Sequence, residues 1–215
     1  MLSYLKKTLL PVLSVLVLCL PGPAIAHPHG WIDLRTTVIL DDTGRIIALE
    51  QEWLFDELYT VFATDGWDME SSAGKSALHE LAKGNLENLK EYDYFTELLV
   101  DGDRRTPGKV QEFETEIRNA RIWMRFVVPL DSPIDPGTAS FSYSVYDPTY
   151  YIEVLHMEGD VIAFRGPASG HCAGEITSPE PTFEAVSLAQ SLAIDDEADD
   201  TLGRLFAERV DVTCR

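Results

Sequence analysis

The alternation of apolar and polar residues is the feature that most constrains the fold of this chain. Apolar residues occupy every second position through most of residues 31–40, and the alternation returns over residues 45–55 after an Asp41-Asp42-Thr43-Gly44 turn. A side-chain period of two is that of a β-strand with one buried face. The two segments are therefore predicted to pair as a β-hairpin that places one face in the core.

The register of this hairpin follows from parity, because cross-strand partners must share a face of the sheet. The predicted inner face carries Ile32, Leu34, Val38, Leu40, Ile47, Leu49, Trp53 and Phe55. On the outer face, a turn centred on Asp42-Thr43 puts position 29 opposite Asp56. A turn centred on Thr43-Gly44 puts position 31 there, with position 29 on the diagonal. Either register brings Asp56 beside His29.

The rest of the sequence predicts helices and further short strands. Leucines at helical spacing predict a helix over residues 71–91, and a shorter helix is predicted over residues 57–65. Strands are predicted over residues 94–100, 109–117, 121–130, 140–146, 151–157, 161–165 and 210–214, with a helix in the tail from residue 201. We therefore predict an α+β fold, mainly an antiparallel β-sheet or sandwich with two or three helices.

The first 26 residues have the three parts of a secretory signal peptide. Two lysines precede an apolar run over residues 9–20, and small residues follow at Ala24-Ile25-Ala26. The apolar run is too short for a helix that crosses the roughly 30 Å hydrocarbon core of a membrane. We predict that residues 1–26 are a secretory signal peptide that is cleaved before His27.

The mature chain, residues 27–215, is long enough for one domain with its own core, and we expect a single periplasmic α+β domain. The full sequence carries a formal net charge of −19 at pH 7, and the loss of Lys6 and Lys7 with the signal makes the charge more negative. So acidic a protein repels nucleic acid and anionic lipid and attracts cations. We expect neither nucleic-acid binding nor stable membrane insertion after cleavage.

Two cysteines, Cys172 and Cys214, remain after the predicted cleavage, because Cys19 leaves with the signal. An even pair in an exported chain is typical of a disulfide. A disulfide that closes the loop between these cysteines would contribute on the order of 4 kcal/mol to the free energy of unfolding in the chain-entropy model. A thiolate metal site that includes the neighbouring His171 is the alternative, which an oxidised pair would exclude.

The predicted cleavage leaves two imidazoles and a free amine within His27-Pro28-His29. All three nitrogens can be unprotonated near neutral pH, since α-amino groups titrate at about 7.7–8.0 and histidines at about 6.5. This donor set suits Zn, Ni, Cu or Co. Pro28 has no backbone N–H, which excludes the square-planar chelate that uses deprotonated amides. The ligands must therefore be side chains and the amine.

Carboxylates near these histidines complete the predicted metal site. The hairpin register brings Asp56 close, and Glu52 or Glu57 is a further candidate. Asp56 is also suited to the N-cap of the helix that follows it, and the two roles are compatible. In the aromatic turn over residues 146–151, Asp147 or a tyrosine is a candidate to complete or cover the site, with ordinary turn packing as the alternative.

Four segments of the sequence together resemble a known family. They are His27-Pro28-His29-Gly30-Trp31, Trp53-Leu54-Phe55-Asp56-Glu57, Tyr146-Asp147-Pro148-Thr149-Tyr150-Tyr151, and residues 202–210 with Cys214. In order and spacing they are similar to the ZevA-like periplasmic proteins, a domain of unknown function associated with NicO-type nickel, cobalt or zinc permeases. The resemblance implies an accessory protein for handling a divalent metal, zinc or nickel, with His27, His29 and Asp56 as motif positions.

We therefore predict a protein that is not an enzyme, binds a divalent transition metal through His27, His29 and nearby carboxylates, and serves an inner-membrane NicO-type permease. A copper redox enzyme is the first alternative, because an N-terminal histidine that chelates through its amine and its ring also forms the copper histidine brace. Such an enzyme needs an open coordination position and a substrate-binding face. The second alternative is a structural partner of a membrane complex, in which the two histidines belong to a mobile terminus.

Overall fold

A computed structural model of the protein describes residues 27–192 and 200–215. The predicted signal peptide, residues 1–26, and most of an acidic run over residues 195–200 lie outside the described residues. The described residues form three α-helices and eleven strands in two sheets. The helices are α1 (Glu57–Ala63), α2 (Ser72–Leu89) and α3 (Phe183–Ser191). The predicted α+β class is confirmed.

Eleven strands make up the two sheets. They are β1 (Gly30–Leu40), β2 (Ile46–Phe55), β3 (Thr96–Val100), β4 (Asp103–Arg105), β5 (Phe113–Arg118), β6 (Arg121–Ile134), β7 (Phe141–Val145), β8 (Ile152–His156), β9 (Ile162–Arg165), β10 (Cys172–Thr177) and β11 (Arg209–Cys214). The first sheet has the order β5-β6-β2-β1-β8, with β9 also paired to β1, and the second has the order β10-β11-β7-β3-β4. Both sheets are mainly antiparallel, but β8 and β9 run parallel to β1.

The predicted hairpin is confirmed in its strands and in most of its inner face. The exception lies beside the turn, where a register shift pairs Ile46 with Leu40 and buries Ile46 in place of the predicted Ile47. Ile32 lies opposite Phe55 and Leu34 opposite Trp53, and all four side chains are buried. The backbone N–H of Asp56 donates to the carbonyl of Trp31 at 3.0 Å, so position 31 lies opposite 56. The second of the two predicted registers is therefore the one that forms.

The two sheets share one hydrophobic core, to which α2 contributes Leu78, Ala82 and Leu86. Two buried hydrogen bonds link the sheets through this core. The Thr36 hydroxyl and the Tyr143 hydroxyl are 2.6 Å apart, and Gln51 Nε2 donates to Thr96 Oγ1 at 2.7 Å. Burial raises the pKa of Tyr143, which keeps this hydroxyl protonated. The sheet-on-sheet arrangement matches the predicted sandwich.

Five elements differ from the sequence prediction. Strands β4 and β10 and helix α3 were not predicted, and the tail helix is only a 3-10 turn over Gly203–Phe206. Strand β10 alternates between half-buried and exposed residues and carries few apolar side chains, so its own sequence signals a strand only weakly. Its backbone pairing with β11 places it in the second sheet despite this weak sequence signal. Strand β6 also runs past Pro129, whose carbonyl still accepts from the Gly108 N–H at 2.7 Å.

The predicted disulfide between Cys172 and Cys214 is present. The two residues face each other across β10 and β11, with their Cα atoms 4.0 Å apart. The alternative of a thiolate metal site with His171 is wrong, because both sulfurs are bonded to each other.

A short left-handed segment follows α2. Asp93, Tyr94 and Phe95 have φ angles of 53°, 55° and 57°, a conformation that costs a residue other than glycine roughly 1–2 kcal/mol. Tyr94 and Phe95 are buried in the core, and the Tyr94 hydroxyl accepts from the Val110 N–H at 3.2 Å. This packing holds the segment in place and fixes where the Phe95 ring points.

Candidate functional site

His27 and His29 lie side by side at the start of β1. Their ring centroids are 4.8 Å apart, and His27 is only 2% exposed. The segment is held by the neighbouring parallel strand, because the His29 N–H donates to the Tyr151 carbonyl at 2.8 Å and Gly30 pairs with Ile152. The fold therefore brings together the two histidines that the sequence singled out.

Tyr151 covers both histidines. Its ring centroid lies 5.7 Å from that of His27 and 4.8 Å from that of His29. The ring is part exposed and forms the outer wall of what we call the histidine corner, consisting of His27, His29 and Tyr151. Sequence analysis named a tyrosine of this turn as a possible cover. It had no means of selecting Tyr151, because the parallel pairing of β1 with β8 is not encoded in either strand alone.

The imidazole of His29 has a buried nitrogen that no described residue satisfies. Its Nε2 atom is inaccessible to solvent and has no hydrogen-bond partner among the residues that the structure describes. Buried polar atoms are nearly always paired with protein, water or a ligand, and an unpaired one calls for an explanation. A group from outside the chain would provide that partner.

Asp56 is next to this corner but is engaged with the backbone. Its Oδ1 accepts from the Tyr59 N–H at 2.8 Å, which confirms the predicted helix cap, and its Oδ2 accepts from the Trp31 N–H at 3.0 Å. The carboxylate thus ties the start of β1 to the start of α1. Its direct role in the site is to position these two segments.

The other predicted carboxylates are not brought to the histidines. Glu52 accepts from Trp123 Nε1 at 3.0 Å and lies 3.6 Å from the Arg118 guanidinium. Asp147 is buried, and its oxygens accept from Thr149 and from the Ile152 N–H at 2.9 Å, so it shapes the turn that presents Tyr151. Glu57 is exposed in the first turn of α1.

A second buried histidine lies further along β8. His156 Nδ1 is 2.8 Å from Glu208 Oε2, and the same oxygen accepts from the His156 N–H at 2.7 Å. Burial raises the pKa of Glu208, but the hydrogen bonds from His156 more than offset this, so the pKa is lowered overall. The pair joins β8 in the first sheet to the residue before β11 in the second, which is a structural role.

An apolar cavity of about 230 Å³ begins at His29 and extends under the first sheet toward α2. Its walls include Trp53, Phe55, Phe95 and Leu89, while Asn85 and Asn88 of α2 contribute amides. The cavity is partly open to solvent, and concave apolar sites of this kind are typical binding sites for small molecules. It was not predicted, because its walls come from four separate parts of the chain.

The outer face of the first sheet is arranged differently, as a row of charges that crosses β5, β6, β2 and β9. We call Arg165, Glu50, Arg125 and Glu114 the charge row. Glu50 is buried beneath the two arginines, and Arg165 Nη2 donates to its Oε2 at 3.0 Å. Burial raises the pKa of Glu50, but the hydrogen bonds and charges of Arg165 and Arg125 outweigh it, so the pKa is lowered.

Comparison with known proteins places the chain in a family. A family model described as "Protein of unknown function (DUF1007)" matches residues 12–214. The chain belongs to the DUF1007 family. An uncharacterised protein of Haemophilus influenzae is 25% identical to this DUF1007 chain over 193 residues, which cover 88% of this chain and 92% of that protein. An uncharacterised 15.5 kDa protein of Spirochaeta aurantia is 29% identical over 85 residues, covering 40% and 60% of the two chains.

Two further findings on this DUF1007 protein concern membrane-spanning helices and groups of metal-binding side chains. Within residues 27–192 and 200–215, no helix is long and apolar enough to cross a membrane. Over the same residues, no three or more His, Cys, Asp or Glu side chains are grouped in a way that could hold a metal ion. At the histidine corner of this DUF1007 protein, the described side chains therefore bring two imidazoles together without a third residue of these types.

The spacing of the two rings is compatible with a metal ion shared between them. Two imidazoles that bind one zinc at about 2.0–2.1 Å, at angles between about 90° and tetrahedral, hold their ring centroids roughly 4.5–5.2 Å apart. The observed separation of 4.8 Å lies within this range. Cleavage before His27 would free an amine on the same residue as one of the rings. The corner would then offer three nitrogen donors.

Proposed function

We propose that this DUF1007 protein is a periplasmic accessory protein that binds a divalent transition-metal ion, zinc or nickel/cobalt, and serves an inner-membrane permease of the NicO type. The observation that carries the proposal is the contact between the His27 and His29 rings, with the buried Nε2 of His29 left without a partner among the described residues. A bound metal ion accounts for both features.

The chemistry of the corner favours a borderline transition metal. His27, His29 and the amine of a chain cut before His27 are nitrogen donors, which suit zinc, nickel, cobalt and copper rather than magnesium or calcium. Such an ion would be held by the protein and released to a partner, since three donors leave at least one coordination position open. Asp56 fixes the approach of β1 through the Trp31 N–H, and Tyr151 shields the rings from solvent.

Three observations support export to the periplasm and a role beside a permease. The N-terminal sequence has the three parts of a signal peptide. The Cys172–Cys214 disulfide is typical of proteins in an oxidising compartment. The four sequence segments that resemble the ZevA-like proteins link this chain to NicO-type permeases, and membership of the DUF1007 family is compatible with that narrower assignment.

The test is a metal titration of the protein that begins at His27. Each of Zn, Ni, Co and Cu(II) is titrated into the wild type, His27→Ala, His29→Ala and Asp56→Ala. A chelator of known affinity competes for the metal in every titration. We expect one ion per chain, and loss of either histidine should weaken binding roughly 100-fold or more, because each removes a direct ligand. His79→Ala is the matched control, since His79 is exposed on α2 and stacks on Phe113 away from the corner.

A second variant isolates the amine. One alanine added before His27 keeps both rings but moves the amine, and we expect a clear loss of affinity if the amine is a ligand. Equal binding by wild type, His27→Ala and His29→Ala would overturn the metal proposal. Copper-dependent turnover in the presence of a reductant would replace it with the redox-enzyme alternative. Failure to co-purify with a co-expressed NicO-type permease would remove the partner while leaving the metal site.

A further inference from the structure

The apolar cavity beside His29 is not used by a bare metal ion. Its volume is about 230 Å³, and most of its wall is made of aromatic and aliphatic side chains, among them Trp53, Phe55, Phe95 and Ile152. An ion bound by nitrogen donors has no need of such a surface. The cavity therefore points to an organic ligand.

The walls of the cavity are held rigidly, which distinguishes it from loose packing. Trp53 Nε1 donates to Gln51 Oε1 at 2.8 Å, and Gln51 in turn donates to Thr96. Phe55 stacks on Tyr59 with ring centroids 5.0 Å apart. The left-handed segment fixes Phe95, whose ring stacks on that of Trp53. Side chains fixed in this way do not collapse into the space, so the cavity persists without a ligand.

The size of the cavity selects the kind of group that enters it. An apolar cavity of about 150 Å³ in a protein interior stays dry and binds benzene. The present cavity is larger and is lined by aromatic faces, which favour offset stacking with another ring. It is matched to a single aromatic ring, or to a fused pair of the size of indole.

Polar groups at the rim show where the other end of such a ligand lies. The lining includes His29 and the amide side chains of Asn85 and Asn88, and Asn85 Nδ2 donates to the Tyr59 hydroxyl at 3.2 Å. His29 also belongs to the histidine corner, and its Nε2 is buried without a partner among the described residues. Because His29 belongs both to the cavity lining and to the histidine corner, a ligand with its ring in the cavity can place its polar end beside the His29 imidazole.

We propose that the cavity binds the ring of a small aromatic chelator, such as a pyridine carboxylate, whose donor atoms reach the metal ion at the histidine corner. The protein then carries its metal together with an organic co-ligand that fills the coordination positions left open by its own donors. The part of this inference that concerns the chelating end rests on the proposed metal function. The ring-binding part stands on the cavity alone.

The first experiment tests the cavity in metal-free protein. Indole is titrated into the mature chain with isotope-labelled methyl groups, and NMR shifts are recorded. We expect saturable shifts of the Leu89 and Ile152 methyls, with little change at the distant core residue Val128. Leu89→Trp, which fills the cavity, should abolish these shifts at Ile152, whereas Leu58→Trp on the exposed face of α1 should not. Absence of saturable shifts in the wild type would overturn the inference.

The second experiment tests the chelating end with two matched probes. Pyridine-2-carboxylate can chelate a metal, whereas pyridine-3-carboxylate has the same ring and charge but cannot. Zinc should raise the affinity for pyridine-2-carboxylate roughly tenfold or more, because the ring contacts the cavity while the chelating atoms contact the metal. The affinity for pyridine-3-carboxylate should not change. His29→Ala should remove this gain.

The outcomes of the two experiments separate this inference from the proposed function. Indole binding without a zinc effect on pyridine-2-carboxylate, in protein that does bind zinc, would overturn the chelator and leave a site for aromatic rings. Failure of the protein to bind any metal would overturn the proposed function. The indole titration would still show whether the cavity binds an aromatic ring. Zinc binding without indole binding would overturn the cavity proposal alone.

Discussion

The charge row and the histidine corner lie on the same sheet but differ in whether all their buried polar groups have partners within the described chain. In the charge row, Glu50 is buried but receives hydrogen bonds from two arginines, and Arg125 is shared with Glu114. In the histidine corner, a buried ring nitrogen of His29 has no such partner among the described residues, and an apolar cavity adjoins it. The row is satisfied within the chain, whereas the His29 nitrogen in the corner is left without a partner among the described residues.

This difference indicates that the charge row contributes mainly to the stability of the fold, whereas the histidine corner is suited to binding. Groups that the chain pairs with itself contribute to the free energy of folding, and losing one partner exposes the cost of burying the other. Groups left for a ligand contribute little to folding and can even reduce stability, as strained and unsatisfied sites often do. Three substitutions test this division, and their expected effects on stability decrease in the order given.

The largest effect is expected from Glu50→Gln in the charge row. Loss of the charge should lower the free energy of unfolding by about 2 kcal/mol at pH 7, less than for a fully buried pair because both arginines are part exposed. The folded pKa of Glu50 is lowered, so the wild type has this contribution above the unfolded value of about 4.3 and loses it as the pH falls through the folded pKa.

Urea unfolding of wild type and Glu50→Gln at pH 7 and at pH 3 measures both effects. The difference between the two proteins should shrink at the lower pH, and the variant should bind metal as the wild type does. A difference that grows on acidification would contradict the assigned cause.

An intermediate effect is expected from Asp56, which joins the two regions. Asp56→Ala removes the α1 cap and the acceptor for the Trp31 N–H, and should cost roughly 1 kcal/mol of stability. Asp56→Asn keeps one acceptor oxygen and should cost about half as much. Thermal unfolding of the metal-free proteins gives the ranking. Equal stability of all three would mean that neither hydrogen bond contributes, and the positioning role would be lost.

The smallest effect on stability is expected from His29→Phe. Phenylalanine keeps the ring that contacts Tyr151 and removes the buried nitrogen, so we expect a change within about 0.5 kcal/mol in metal-free protein. Metal binding should nevertheless be lost. A large destabilisation, measured by the same urea unfolding, would place His29 among the residues that hold the fold and would break the comparison with the charge row.

Sequence reasoning reached the parts of this molecule that depend on local pattern. Alternation predicted the inner face of the hairpin except beside the turn, where a register shift buries Ile46 rather than Ile47. Parity limited Asp56 to two positions, one of which forms. The cysteine count led to the disulfide. Asp56 was identified as a helix cap from its place before α1.

The remaining features depend on contacts between distant segments. Tyr151 reaches the histidines because β8 lies parallel to β1, a pairing that neither strand specifies alone. The cavity needs Phe95 held by three consecutive left-handed residues, which no propensity predicts for Asp-Tyr-Phe. Glu52 was named as a ligand candidate for its place in the hairpin and Asp147 for its place in the aromatic turn. In the structure, Trp123 and the Ile152 N–H engage these two carboxylates.

The pairing of β1 with β8 also sets when the histidine corner can come into being. The ribosome makes His27 and His29 early, but Tyr151 and the strand that holds it emerge only after most of the chain has been synthesised. Until β8 is made, the chain has neither the parallel pairing nor the covering ring. The two histidines therefore acquire their fixed arrangement late in synthesis, although they lie near the start of the described residues.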